Sequence, residues 1–266
     1  MLQLGLFHLK NNQDKVFGIQ FQKKTEIEQF IEKLPFQLTK AQARVYREIE
    51  ADMTGKKQMN RLVQGDVGSG KTIVAVIAIL LAALNHYQSV FMVPTEILAE
   101  QHYQSIVPLL EGYGVKIVLL TGSVSKKEKE RIKESIQKHE ADLVIGTHAL
   151  LQEDVSFANL GLVVTDEQHR FGVKQRAVLA AKSNPDILVM TATPIPRTLA
   201  LILYGDLDIS IIDELPPNRR PIETYSVTEA MRPRINAFIR KKVAEGRQAY
   251  IICPLVEESE AIEAEA

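Results

Sequence analysis

Between about Met59 and Ile212 the chain alternates short apolar runs with segments of helical length, the pattern of a parallel β-sheet covered by helices on both faces. The spacing predicts strands at 61–63, 89–93, 116–120, 143–145, 162–165 and 188–190. The segments leaving their C-terminal ends, at 65–72, 94–95, 122, 146–148, 166–169 and 191–194, are rich in glycine and polar residues. Ligands of open α/β folds bind at that edge of the sheet, so it is the expected active surface. The run from Ile73 to Leu84 is apolar on every side and about a dozen residues long, which predicts a buried helix and not a membrane span of ~20 residues.

Residues 215–221 (LPPNRRP) hold three prolines in seven positions and read as a linker, because proline removes a donor and stops regular structure. Beyond it, 222–227, 232–244 and 248–253 predict a β-α-β pattern beginning again. The expected division is therefore 1–24 as a connection to a preceding region, 25–214 as the main domain, 215–221 as linker and 222–266 as the start of a second domain. The charge-dense stretch 126–138 (KKEKERIKESIQK) predicts a helix with a solvated face rather than a nucleic-acid contact.

With a formal charge of −1 there is no general basic field, so a polyanionic partner has to be held by local groups and helix N-termini. The single cysteine, Cys253, excludes an internal disulfide framework, and no basic leader with an apolar stretch opens the chain. A soluble, cytoplasmic protein with no membrane partner is expected.

Gly65-Asp66-Val67-Gly68-Ser69-Gly70-Lys71-Thr72 matches the Walker A pattern, with an apolar strand before it and a helix-forming run after it. Gly65, Gly68 and Gly70 are expected at positive φ, turning backbone N–H groups toward a β-phosphate. Lys71 is the expected cation for the β- and γ-phosphates of ATP, and Thr72 the expected hydroxyl ligand of Mg²⁺. About a hundred residues later, the apolar run 162–165 ends in Asp166-Glu167-Gln168-His169, a Walker B layout. Asp166 would hold Mg²⁺ and Glu167 would orient and deprotonate the attacking water. His169 is either a structural residue or a group coupling nucleotide state to Thr191–Thr193.

The phosphate loop with Asp166-Glu167-Gln168-His169 resembles the DExH group of superfamily two helicases, and Thr191-Ala192-Thr193-Pro194 is similar to their third motif. Leu34-Pro35-Phe36-Gln37-Leu38-Thr39-Lys40-Ala41-Gln42, Arg170-Phe171-Gly172-Val173 and Ile195-Pro196-Arg197-Thr198-Leu199 narrow the resemblance to the bacterial branch-migration helicases, with 248–260 similar to the opening of their second motor domain. Transcription-repair coupling factor shares several of these motifs.

The resemblance implies a RecA-like P-loop domain of the α/β class, with a mostly parallel sheet covered on both faces, plus the start of a second RecA-like domain. It implies an ATP- and Mg²⁺-dependent monomeric motor acting on branched DNA, double-stranded with single-stranded regions. Phe36, Thr39 and Gln42 become the adenine-reading segment, the ring stacking and the amide pairing with the base edge. Pro94, Thr95, Gly146, Thr147 and His148 become backbone-gripping DNA contacts, although ordinary strand-to-helix caps would explain the same residues. Arg197 serves DNA coupling or a surface ion pair. A junction-reading wedge and the arginines of the second motor domain are expected outside this chain, so the piece should bind nucleotide and turn it over poorly. The reading from another class is a nucleotide-binding switch that does not hydrolyse ATP, and Glu167 argues against it.

Overall fold

The computed structural model describes residues 17–147, 150, 155–166, 184–193, 207–214 and 222–252. The chain divides into two compact units, Met1–Arg219 and Arg220–Ala266.

The first unit is built on seven parallel strands: β1 (Asn60–Gly65), β2 (Gln88–Met92), β3 (Ile117–Leu120), β4 (Leu143–Gly146), β5 (Leu160–Asp166), β6 (Asp186–Thr191) and β7 (Asp208–Ile212), in the order β3-β4-β2-β5-β6-β1-β7. Each of the six strands predicted between 61 and 190 is present. β7 adds an edge strand where the sequence showed only the end of the alternating pattern. Its burial alternates, as expected of a strand with one solvated face.

Five helices serve this sheet among the described residues: α1 (Thr25–Lys33), α2 (Lys40–Met53), α3 (Lys71–Leu84), α4 (Glu96–Leu110) and α5 (Lys126–Gln137). α3 is buried continuously from Ile73 to Ala82, the fate of a helix apolar on all sides. α2 begins in a full capping box between Thr39 and Gln42 and buries Ala41, Gln42, Val45, Tyr46, Ile49 and Met53, positions three and four apart that line one face. α5 buries only Ile136, and its charges pair along its own surface, Glu130 with Lys133 and Glu134 with Lys138. This is the solvated helix the charge pattern implied.

Upstream of α1, Phe21 is buried edge-to-face against Tyr87, and its N–H donates to Met53 O at 3.0 Å. Residues near 21 therefore pack on the sheet-covering helices. One semi-buried polar cluster ties three elements together. Arg61 of β1 donates to Asp52 (2.7 Å) and Glu48 (3.3 Å) of α2 and to Ser210 Oγ of β7 (2.7 Å), while Ser210 donates to Glu48.

In the second unit a short 3₁₀ turn (Glu229–Met231) runs into α6 (Arg232–Ala244). Among the described residues, 222–228 and 247–252, which hold most of the strands predicted on either side, have no strand pairing, and Ile222, Tyr225, Tyr250, Ile251 and Ile252 are exposed. A strand satisfies its backbone only by pairing with a neighbour, and the described residues of this unit supply none. Cys253 and the linker at 215–221 lie outside the described residues.

Candidate nucleotide-binding and motor site

The loop between β1 and α3 is shaped by glycine. Gly68 and Gly70 sit at φ 76° and 81°, and Gly70 in the left-handed region is the N-cap of α3. Gly65 departs from expectation. Its φ is not positive; what favours glycine there is crowding, since a Cβ would lie 2.5 Å from Ser69 Oγ and 3.1 Å from Ile212 Cβ. Within the loop Ser69 N donates to Asp66 O (3.0 Å) and Val67 N to Asp66 Oδ1 (2.8 Å), while the side chain of Val67 is exposed.

Lys71 Nζ donates to the carbonyls of Gly65 (2.8 Å) and Asp66 (3.0 Å), folding the ammonium back over the loop at the head of α3. Ser69 Oγ is buried and has no hydrogen-bond partner among the described residues. A cation held over a glycine-rich turn, an orphaned buried hydroxyl and a helix N-terminus form a polar cradle suited to phosphate oxygens. Thr72 follows in the first turn of α3, so the loop residues expected to hold ATP and Mg²⁺ are all brought together.

Gln42 is tied directly to this loop. Its Oε1 accepts from Thr39 N (2.9 Å), its Nε2 donates to Ser69 O (2.8 Å), and it is buried. Thr39 caps α2, its hydroxyl accepting from Gln42 N at 3.2 Å, and Phe36 presents a half-exposed ring just upstream. The segment expected to read adenine is thus continuous with the phosphate cradle. Contacts unmarked in the sequence tie it to the end of β7: Glu214 Oε2 accepts from Ala41 N (3.1 Å), and Arg44 of α2 donates to Ile211 O (2.8 Å) and Asp213 (2.9 Å).

Asp166 closes β5, paired in register with Met190 of β6, and β6 in turn pairs with β1, Thr191 opposite Gln64. The acid and the phosphate loop therefore leave the same edge of the sheet, two strand spacings or about 10 Å apart. Thr193 N donates to Thr191 Oγ1 at 3.2 Å in the segment after the intervening strand. Asp166 Oδ2 lies 3.2 Å from His102 Nε2 on α4, a contact not anticipated from sequence. The available signal was helical spacing, which puts His102 on the same face as the buried Ala99 and Ile106. Glu167 and His169 lie outside the described residues.

Of the predicted DNA contacts, half-buried Pro94 and exposed Thr95 precede α4, where Thr95 Oγ1 caps Leu98 N at 3.3 Å. Gly146 ends β4, where any Cβ would collide with Leu120 O, and Thr147 O accepts from Leu150 N at 3.1 Å. These two pairs flank each other across the adjacent strands β2 and β4. His148 and Arg197 lie outside the described residues. Among the described residues, no helix is long and apolar enough to cross a membrane, and no cluster of three or more His, Cys, Asp or Glu side chains stands ready as a metal site.

A phosphate loop leading into a buried helix, with an acidic strand end two strands away on an all-parallel sheet, defines a P-loop domain of the RecA-like type. The DEAD/DEAH box helicase family matches residues 39–202, and the chain belongs to that family. It is 56% identical over 239 residues to the ATP-dependent DNA helicase RecG of Bacillus subtilis (strain 168), covering 90% of this chain and 35% of that protein. To the RecG of Thermotoga maritima it is 50% identical over 264 residues, covering 98% of this chain and 34% of that one. The chain thus spans about a third of the length of the curated relatives it matches. The solved structure of RecG bound to a three-way DNA junction matches with a TM-score of 0.84 at 46% identity, over 96% of this chain and 35% of that one.

Proposed function

We propose that this chain is the ATP-binding half of a DNA helicase or translocase motor that remodels branched DNA such as forks and Holliday junctions. The carrying observation is the cradle of Gly68, Ser69, Gly70 and Lys71 on the same sheet edge as Asp166. Relatives named RecG, and a RecG structure solved on a three-way DNA junction, support DNA as the partner.

In this reading the backbone of residues 65–70 and the ammonium of Lys71 hold the phosphates of ATP, Lys71 leaving the Gly65 and Asp66 carbonyls for the β- and γ-oxygens. Phe36 stacks on adenine, and Gln42 joins the base site to the phosphate loop through Ser69. Thr72 and Asp166 would hold Mg²⁺, which when bound neutralises charge on the phosphate oxygens. Glu167 takes a proton from water as its oxygen attacks the γ-phosphorus and the bond to the β-γ bridging oxygen breaks, giving ADP and phosphate. His169 relays nucleotide state to Thr191–Thr193. Pro94, Thr95, Gly146, Thr147, His148 and Arg197 grip the DNA backbone without reading bases.

By itself the chain binds nucleotide but turns it over slowly. Its second unit has one helix and no sheet among the described residues, and an arginine supplied from a complete second motor domain contributes ~10³–10⁵ in rate in such motors. Calorimetry with ATP and ADP in Mg²⁺, on the chain and on Lys71→Ala, tests this together with hydrolysis measured with and without branched DNA. Magnesium-dependent binding lost in the variant, with little turnover, is the expected result. Rapid DNA-stimulated turnover by the chain alone would overturn the half-motor reading, and absence of binding would overturn the site.

A further inference from the structure

His102 is the one imidazole among the described residues that touches the acidic strand end. Its ring rests against Phe91 of β2 with centroids 4.8 Å apart and planes inclined by 45°, and Phe91 is fully buried. From that seat Nε2 reaches Asp166 Oδ2 at 3.2 Å, both side chains being largely shielded, at 14% and 19% exposure. In the tautomer that carries its hydrogen on Nε2, the ring donates to this carboxyl group.

The helix carrying His102 is anchored at its N-terminal end. Thr95 caps α4, and the Glu96 carboxylate accepts from Ser123 N at 3.3 Å, fixing the first turn to the loop after β3. His102 lies seven residues along the helix from Thr95, a rigid span of about 10 Å.

We infer that His102 is a positioning residue for the ATPase site: it holds one oxygen of Asp166 and makes α4 a strut between the exposed cap at Thr95 and the acid at the end of β5. A carboxylate held at one oxygen keeps a single rotamer and still offers the other oxygen to a cation. Outer partners of this kind typically change metal affinity by about 10–100-fold. Because the strut begins at Thr95, a phosphate seated on that cap shifts the same carboxylate. This deepens the motor reading and rests on Asp166 and Thr95 having the roles proposed above.

The test is the Mg²⁺ dependence of fluorescent ADP binding by the full chain, which needs no turnover, measured with and without a DNA duplex carrying a single-stranded arm. His102→Phe keeps a ring against Phe91 and removes the donor, His102→Asn shortens its reach, and His102→Gln returns an N–H near the Nε2 position. The expected result is a Mg²⁺ half-saturation raised about tenfold or more in His102→Phe and His102→Asn and restored in His102→Gln. The shift that DNA causes in the unmodified chain should be absent from the first two. Unchanged half-saturation in His102→Phe and His102→Asn overturns the inference, as does a loss in His102→Gln equal to theirs. Asp166→Asn separates the levels: if it leaves the Mg²⁺ dependence unaltered, the metal-site reading itself fails, independently of His102.

Discussion

Gln42 Nε2 and the carbonyl oxygen of Ser69 are joined by a buried hydrogen bond of 2.8 Å, so the first turn of α2 and the phosphate loop are one mechanical piece. The same amide closes the capping box through Oε1. Whatever seats against α2 is therefore felt at the turn that cradles phosphate.

Removing this amide should weaken both stability and nucleotide binding. Gln42→Ala strands the Ser69 carbonyl and the Thr39 N–H, and a buried group left unsatisfied costs ~1–3 kcal/mol. Urea denaturation should show a loss in that range, with ADP affinity reduced in calorimetry. Wild-type ADP affinity in a destabilised variant would separate the two roles and refute the coupling.

Gly70→Ala and Gly112→Ala should differ sharply although both positions have positive φ, 81° and 87°. At Gly112 a methyl group meets open space, so only the left-handed backbone cost of about 1–2 kcal/mol applies. At Gly70 the new Cβ collides with Gln42 Nε2 and must break the bond to Ser69. Thermal melts and nucleotide titrations should show Gly112→Ala mildly destabilised and fully able to bind, and Gly70→Ala more destabilised and unable to bind.

Arg61 anchors α2 to β1 and β7 through Asp52, Glu48 and Ser210. Replacing it with alanine leaves two carboxylates facing each other in a partly shielded site. Breaking a fully buried pair costs ~3–5 kcal/mol; with Glu48 and Asp52 at 38% and 27% exposure the expected loss is about 2 kcal/mol. Chemical denaturation of Arg61→Ala reads this directly, and a loss below ~0.5 kcal/mol would show the cluster to be energetically idle.

Asp186, at the start of β6 and far along the strand from the nucleotide edge, is buried; Oδ1 accepts from Met59 N while Oδ2 has no partner among the described residues. Burial pushes its carboxyl up to about 8 from an ordinary 3.8. Between those values the folded state binds a proton that the unfolded state has released, so stability falls as pH rises through the window, by a few kcal/mol in total. Asp186→Asn should flatten the denaturation free energy between pH 4 and pH 8. Parallel pH profiles for the two proteins would rule out a buried, protonated Asp186.

Much of the architecture was legible in the chain itself, because the information was local. A strand buried on both faces has to be a continuous apolar run, and a helix wrapped by protein has to be apolar all round, so the inner strands and α3 were visible as composition, and the half-buried edge strand β3 as a short apolar run. The phosphate loop was visible because its turn demands glycine at fixed offsets, although Gly65 meets that demand by lack of space and not by its dihedral angle. The segments predicted as strands flanking α6 are unpaired among the described residues for the complementary reason: an apolar run states a capacity to pair, and the second unit's described residues offer no edge to pair with. Tertiary structure alone decided the contacts that govern the site. Gln42 and Ser69 are 27 residues apart, His102 and Asp166 are 64, Arg61 and Ser210 are 149, and Ala41 and Glu214 are 173. No periodicity encodes such pairs, since each depends on which strands become neighbours in the sheet order and on which helix face then looks across their ends.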